Sequence, residues 1–282
     1  MREHTITQAG KLHLVPATVQ SPGTNEVSIE IAGDYRVIRA NGIPDHQTGR
    51  FPNRGNPNRI AEQSYSYRVP AKPEIAQRVT PAAGQSFGIA VNGIPFDPGA
   101  AEVYRGNPRG GWHYEPLSGA VPLGIDANHA HVQPTGAYHY HGLPVDLLKV
   151  LKVDGSSHSS IVGWAADGFP IYAIYGFANP DDNKSQVKGL KSSYRLKEGT
   201  RPGGNLPDGK YDGTFVADYV FEEGLGDLDE CNGRVCITPE YPEGTYAYFL
   251  TEDWPVIPRN YRGTPSPDFR RGGRPPRHSP PR

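Results

Sequence analysis

Four histidines fall within thirteen residues in the string DANHAHVQPTGAYHYHGLP: His129, His131, His139 and His141. They form two H-x-H pairs on either side of Pro134-Thr135-Gly136. In an extended strand, residues i and i+2 face the same side, so each pair shares a face. Pro-Thr-Gly suits a three-residue hairpin loop, with Pro opening a type I turn and Gly in the left-handed position after it. Gln133 then pairs with Ala137, His131 lies opposite His139, and His129 lies opposite His141. All four rings fall on one face, and Tyr138 and Tyr140 point the other way into a core. Opposed β-carbons are roughly 4.5–5.5 Å apart and metal–imidazole bonds are about 2.0–2.1 Å, so three or four of these rings can meet at one ion.

Imidazole suits Zn, Cu(II), Fe and Ni, whereas Cu(I) carriers favour Met and Cys, and Met1 is the only methionine. The expected cofactor is a divalent transition metal, Zn or Cu. A metal-dependent hydrolase acting on a small molecule would use three of the four histidines and leave a coordination position open, with a base nearby. A non-catalytic Cu(II)- or Zn(II)-binding protein would close the site with all four. A copper redox enzyme drawing on the neighbouring tyrosines lies between the two. Asp126, Asn128 and Gln133 are local candidates to orient the rings. Asp167, Asp229 and Glu230 are the candidate catalytic bases or outer ligands from elsewhere. His113 and His158 are weaker candidates for a fourth ligand or an acid–base group, and His4, His13, His46 and His278 read as solvent residues. The segment GLGDLDECNGR (224–234) gathers acids in a Gly-rich loop but lacks the EF-hand spacing. There is no P-loop, no GxGxxG after a strand and no G-x-S-x-G elbow.

These residues need a scaffold of strands. Three strings, RVIRANGIP, FGIAVNGIP and VGWAADGFP, each run an apolar segment into Asn-Gly or Asp-Gly and then Pro. Such dipeptides favour the positive φ angles of type I′ turns, which places hairpin tips at Asn41-Gly42, Asn92-Gly93 and Asp167-Gly168. The Pro after each tip suggests an edge position or a bulge. Val27–Ile31, Tyr65–Val69, Tyr211–Phe221 and Thr245–Leu250 are further strand candidates, and Pro144–Val153 reads as a short helix. The expected fold is mainly β: a single domain of antiparallel hairpins, sandwich or barrel-like, with one or two short helices and long loops. An extended N-terminal segment (1–24) precedes the β-rich domain (25–262), and a disordered Arg/Pro-rich tail (263–282) follows it.

Composition agrees. Gly (34), Pro (29) and Tyr (16) are abundant among 282 residues, which disfavours a helical bundle. No apolar run is long enough to span a membrane, and residues 1–16 contain no stretch of signal-peptide length. Net charge is −1, yet seven arginines and one aspartate follow from Arg259 onward, so the body is mildly acidic and ill suited to gripping a phosphate backbone. The two cysteines bracket CNGRVC. A turn at its Asn-Gly would bring Cys231 and Cys236 towards disulfide distance and imply an oxidising compartment; two free buried thiols are the alternative.

Beyond the YHYH string itself (138–141), the blocks VNGIPFDP, DANHAHVQPTGAYHYHGLP, IVGWAADGFPIYAIYG, LKSSYRL and GDLDECNGRVCITPEYPEGTYAYFLTEDWPVIP resemble the bacterial YHYH-domain family, over roughly 85–260. The resemblance implies an exported protein, periplasmic or secreted. It implies no particular reaction.

Overall fold

In a computed structural model of the chain, residues 3–270 are described. β1 (Val27–Ala32), β2 (Tyr35–Ala40) and β3 (Tyr65–Pro70) make an antiparallel three-stranded sheet. β4 (Thr80–Pro81) is a two-residue strand. An eight-stranded sheet takes β5 (Gly88–Ala90), β6 (Pro95–Phe96), β7 (Ala130–Val132), β8 (Tyr138–Tyr140), β9 (Gly163–Ala165) and β10 (Pro170–Ala173). Two short antiparallel pairs follow: β11 (Tyr175–Phe177) with β12 (Val187–Gly189), and β13 (Tyr194–Leu196) with β14 (Tyr219–Phe221). β15 (Gly233–Thr238) and β16 (Tyr241–Leu250) complete the large sheet, and β17 (Asn260–Tyr261) pairs with β4. α1 (Val145–Val150), entered through Pro144, is the one α-helix among the described residues. The fold is therefore mainly β.

The order in the large sheet is β15-β16-β10-β9-β5-β6-β8-β7, an open sheet with β7 and β15 at its edges. Most neighbours are antiparallel, but β10–β16 and β6–β8 are parallel. This mixed character departs from the all-hairpin expectation. The parallel β6–β8 pair matters most, because it lays the chain leaving β6 alongside the YHYH strand. The core is aromatic and aliphatic: Phe87, Phe96, Tyr138, Tyr140, Tyr248 and Tyr261 are fully buried. The phenol hydroxyls find partners, as buried phenols must. Tyr138 donates to Asp126 (2.8 Å) and Tyr261 to the Ser86 carbonyl (2.8 Å).

Two of the three Asn/Asp-Gly strings make the expected hairpins. Gly93 N–H donates to the Ala90 carbonyl across the β5–β6 turn, and Gly168 N–H to the Ala165 carbonyl across the β9–β10 turn; both glycines have positive φ. Asn41-Gly42 does not. Its strand β2 already turns from β1 at Gly33-Asp34, and its other partner β3 arrives only after the long 41–64 link. The Asn41 side chain instead ties that link down, accepting from Glu26 N–H and donating to the Thr24 carbonyl. Pro95 and Pro170 sit in interior strands rather than at edges, each as the first residue, where a missing N–H is tolerated. In the 211–221 region, only Tyr219–Phe221 is strand.

Two further expectations meet the packing. His4, Val15 and Val19 form isolated bridges to Tyr104, Asp126 and Thr48. Past residue 262 the chain stays packed up to Arg270. Phe269 stacks on Tyr67 with centroids 4.2 Å apart, and Asp268 accepts from Arg68 N–H. Residues 271–282, where the rest of the expected tail falls, lie outside the described residues.

The Cys231–Cys236 disulfide is corrected: both thiols are free and buried. Asn232-Gly233 does not turn a hairpin between them. Gly233 opens β15, so the chain runs on extended. Cys231 packs in the main core and Cys236 in a separate cluster with Tyr172 and Phe249. The cysteines therefore carry no argument for an oxidising compartment.

Candidate metal centre

The Pro134-Thr135-Gly136 loop forms as its residues dictate. Gln133 N–H donates to the Ala137 carbonyl (2.9 Å), Gly136 N–H to the Gln133 carbonyl (2.8 Å), and Gly136 has φ +88°. The register then sets His131 directly opposite His139. His141, just beyond β8, falls on the same face.

Three rings converge. The centroids of His131, His139 and His141 are 4.7 Å apart in every pairing, with interplanar angles of 68°, 76° and 76°, like the blades of a propeller. His139 Nε2 and His131 Nε2 each lie 3.0 Å from His141 Nε2. Each Nδ1 faces a backbone carbonyl: Leu123 for His131 (2.9 Å), Ala137 for His139 (3.1 Å) and Asp97 for His141 (2.8 Å). A carbonyl only accepts, so each Nδ1 carries the proton and a neutral ring offers a lone pair at Nε2. Burial drives the His131 ring down to a pKa of about 4, which keeps it neutral. Three lone pairs aimed at one point repel one another, and a cation relieves that repulsion. Bonds of about 2.0–2.1 Å to atoms 3.0 Å apart subtend roughly 90°, the angle of a facial ligand set. Among the described residues, this is the only group of three or more His, Cys, Asp or Glu whose ligand atoms lie within 4.8 Å of one another.

His129 is not in that group, contrary to the expectation of four histidines on one face. The ladder does reach it, since His141 N–H donates to its carbonyl (2.7 Å). However, its backbone is left-handed, at φ +52°. The cause is a tight turn at 126–129, in which the Asp126 carboxylate accepts from Asn128 N–H and Ala130 N–H. The rotation swings the ring away to the Leu143 carbonyl (2.9 Å). Side-chain alternation holds only while the backbone stays extended.

A carboxylate that the sequence does not point to lies beside the three rings. Asp97 follows β6, and its N–H continues the parallel pairing by donating to the Tyr140 carbonyl (2.8 Å). Asp97 Oδ2 lies 3.8 Å from His139 Nε2 and accepts from Gln133 Nε2 (3.4 Å). Gln133, expected to orient a histidine ring, contacts this carboxylate instead, and the rings are oriented by backbone carbonyls. Asp97 is almost fully buried, yet it also reaches the wall of a pocket of about 480 Å³. His113 lines the same pocket. No local spacing in the sequence links Asp97 to the histidines; only the parallel pairing does.

The three carboxylates expected as bases sit elsewhere. Asp167 is buried at the β9–β10 turn, where it accepts from Tyr248 Oη (2.5 Å) and Gly263 N–H (2.8 Å). Asp229 closes the turn before β15, accepting from Cys231 N–H, Gly233 N–H and Tyr246 Oη. Glu230 is exposed, and its carbonyl accepts from Tyr194 Oη. Asp229 and Glu230 precede β15, at the opposite edge of the sheet from β7. His158 is boxed in by Tyr172, Phe177 and Phe249. His46, expected in solvent, instead bonds Tyr140 Oη (2.7 Å) behind the centre.

Burial pushes the Asp167 carboxyl up to about 6. The folded protein therefore holds this proton between about pH 4 and 6 while the unfolded chain releases it. The resulting stabilisation is complete below about pH 4 and lost as the pH rises through about 6, a change on the order of 2–3 kcal/mol. Asp167→Asn removes it. Urea melts from pH 4 to 7 should show the wild-type stability falling relative to the variant as the pH rises; a difference that is flat or of opposite sign overturns the assignment.

Fold and centre together define a mainly β protein with three inward-facing histidines able to hold a metal ion. The family model for YHYH proteins matches residues 66–263, and the chain belongs to that family. No curated protein and no solved structure matches it.

Proposed function

We propose that this protein holds one divalent transition metal ion, Zn or Cu, on the Nε2 atoms of His131, His139 and His141, and uses it as a metal-dependent hydrolase. The observation that carries the metal is the commitment of all three Nδ1–H groups to carbonyls, which leaves three convergent acceptors. Catalysis is favoured over mere capture because only three histidines converge and the neighbouring carboxylate reaches a pocket. A bound ion of this kind lowers the pKa of water or polarises a substrate oxygen. Asp97 is placed to take up a proton at Oδ2, with Gln133 fixing its orientation, and His113 offers a second acid–base group on the pocket wall. Non-catalytic Zn(II) or Cu(II) capture is the second reading, favoured by the burial of His139 and His141, each 3% exposed. An extracytoplasmic location is proposed on the family resemblance alone.

Elemental analysis of protein from a metal-replete host, after dialysis, should find about one Zn or Cu per chain. Metal-free protein with no affinity for either ion overturns the reading. Asp97→Asn should retain the ion and lose about 10²–10⁴-fold in hydrolysis of chromogenic ester and phosphoester substrates. A protein that binds metal but hydrolyses none of them favours capture.

A further inference from the structure

A second cavity, which shares Leu123 with the surroundings of the histidine centre, lies where residues 11–15 cross the 119–125 loop. It is a groove of about 780 Å³, within the range of small-ligand sites. Lys11, His13 and Arg54 line it, and no Asp or Glu does. Elsewhere Arg39, Lys149, Lys188, Arg195, Arg201 and Arg259 each pair with a carboxylate. Among the described residues neither Lys11, His13 nor Arg54 does. Most lysines and arginines among the described residues likewise form no ion pair, so it is a lining with two cationic side chains and a histidine but no carboxylate that favours an anion here.

The floor between them is apolar. Leu12, Val121 and Leu123 face the groove, and the last two belong to a buried cluster with Tyr104, Tyr114 and Phe215. Both walls are pinned. Val15 N–H donates to the Ile125 carbonyl (2.9 Å) on one side, and Asn53 Nδ2 to the Gly124 carbonyl (2.9 Å) on the other. Gly55 sits so close to Gly124 that a β-carbon there would lie 2.4 Å from its nitrogen. A groove held in this way needs little ordering on binding.

We propose that this groove binds a small amphiphilic anion. Its carboxylate or phosphate head is held by Lys11, His13 and Arg54, and its short apolar chain lies on Leu12, Val121 and Leu123. The inference does not depend on the metal reading, and metal-free protein serves for its test.

Titration calorimetry of the full chain with decanoate, decyl phosphate and uncharged octyl glucoside should give saturable binding, with one equivalent of at least one of the two anions and far weaker binding of the glucoside. Tighter binding of decyl phosphate assigns a phosphate ester as the ligand class, and tighter binding of decanoate a carboxylic acid. Lys11→Glu and Arg54→Glu should each weaken the anion about tenfold or more, and added salt should weaken it further. Both side chains are exposed, so the unfolding midpoint should not move. The proposal is overturned if neither anion binds, if the glucoside binds equally well, or if both variants bind like the wild type.

Discussion

His139→Ala and His141→Ala should each empty the metal centre, while His129→Ala leaves it filled. Each of the first two removes one of three convergent Nε2 atoms and leaves a buried gap that no other side chain on the hairpin fills. Loss of a partner behind a ligand costs roughly 10–100-fold in metal affinity, so loss of a ligand should cost at least about 100-fold. Elemental analysis after dialysis against a weak chelator reads the difference. The fold should survive, because the rings face away from the aromatic core that Tyr138 and Tyr140 anchor. His129 is the informative control. It lies in the same string and beside the same ladder, but its Nδ1 is on the Leu143 carbonyl and its ring is turned out of the group. If His129→Ala loses as much metal as His139→Ala, the three-histidine centre is wrong and a wider site must replace it.

That contrast shows what was legible in the residues and what was not. The hairpin could be read because its information is local. Pro134-Thr135-Gly136 fixes the loop, the loop fixes the register, and the register sets His131 against His139. Strand alternation then sends Tyr138 and Tyr140 into the core. The reading failed at His129, where one residue leaves the extended conformation. The cause is Asp126, whose carboxylate gathers the N–H groups of the turn before β7; an Asp three residues before a strand histidine signals a turn but not its φ angles.

Asp97 was out of reach for a different reason. It stands 42 residues before His139 and arrives through a parallel pairing that no spacing rule encodes. Asp167 and Asp229 resemble catalytic groups in the sequence because acids stand there beside tight Gly turns. In the structure their chemistry is spent on the turns themselves and on Tyr248 and Tyr246. The same holds at the cysteines: Asn-Gly marks a hairpin at Asn92-Gly93, but in CNGRVC it only opens a strand.

Gly136→Val should lose both stability and metal, and it tests the loop rather than the ligands. At φ +88° a β-branched residue bears the left-handed penalty of roughly 1–2 kcal/mol. The added β-carbon would also lie 2.6 Å from the Ala61 β-carbon and 3.2 Å from the Ala61 nitrogen, whose N–H donates to the Gly136 carbonyl (3.0 Å). Relieving that overlap costs about 1–3 kcal/mol more, so the whole penalty is on the order of 2–5 kcal/mol. The loop can escape by shifting the pairing of one strand by a residue, and a one-residue slip turns that strand's side chains to the other face. His139 and His141 would then point into the core side and His131 would face them no longer. A lower urea midpoint together with metal content well below that of the wild type is the expected pair of results. Gly136→Ala should have the same effect in milder form, because it adds the β-carbon without the branch. Full metal content in a folded but destabilised Gly136→Val protein would separate the histidines from the loop, and would mean that the rings are held by their carbonyl partners at Leu123, Ala137 and Asp97 rather than by the hairpin register.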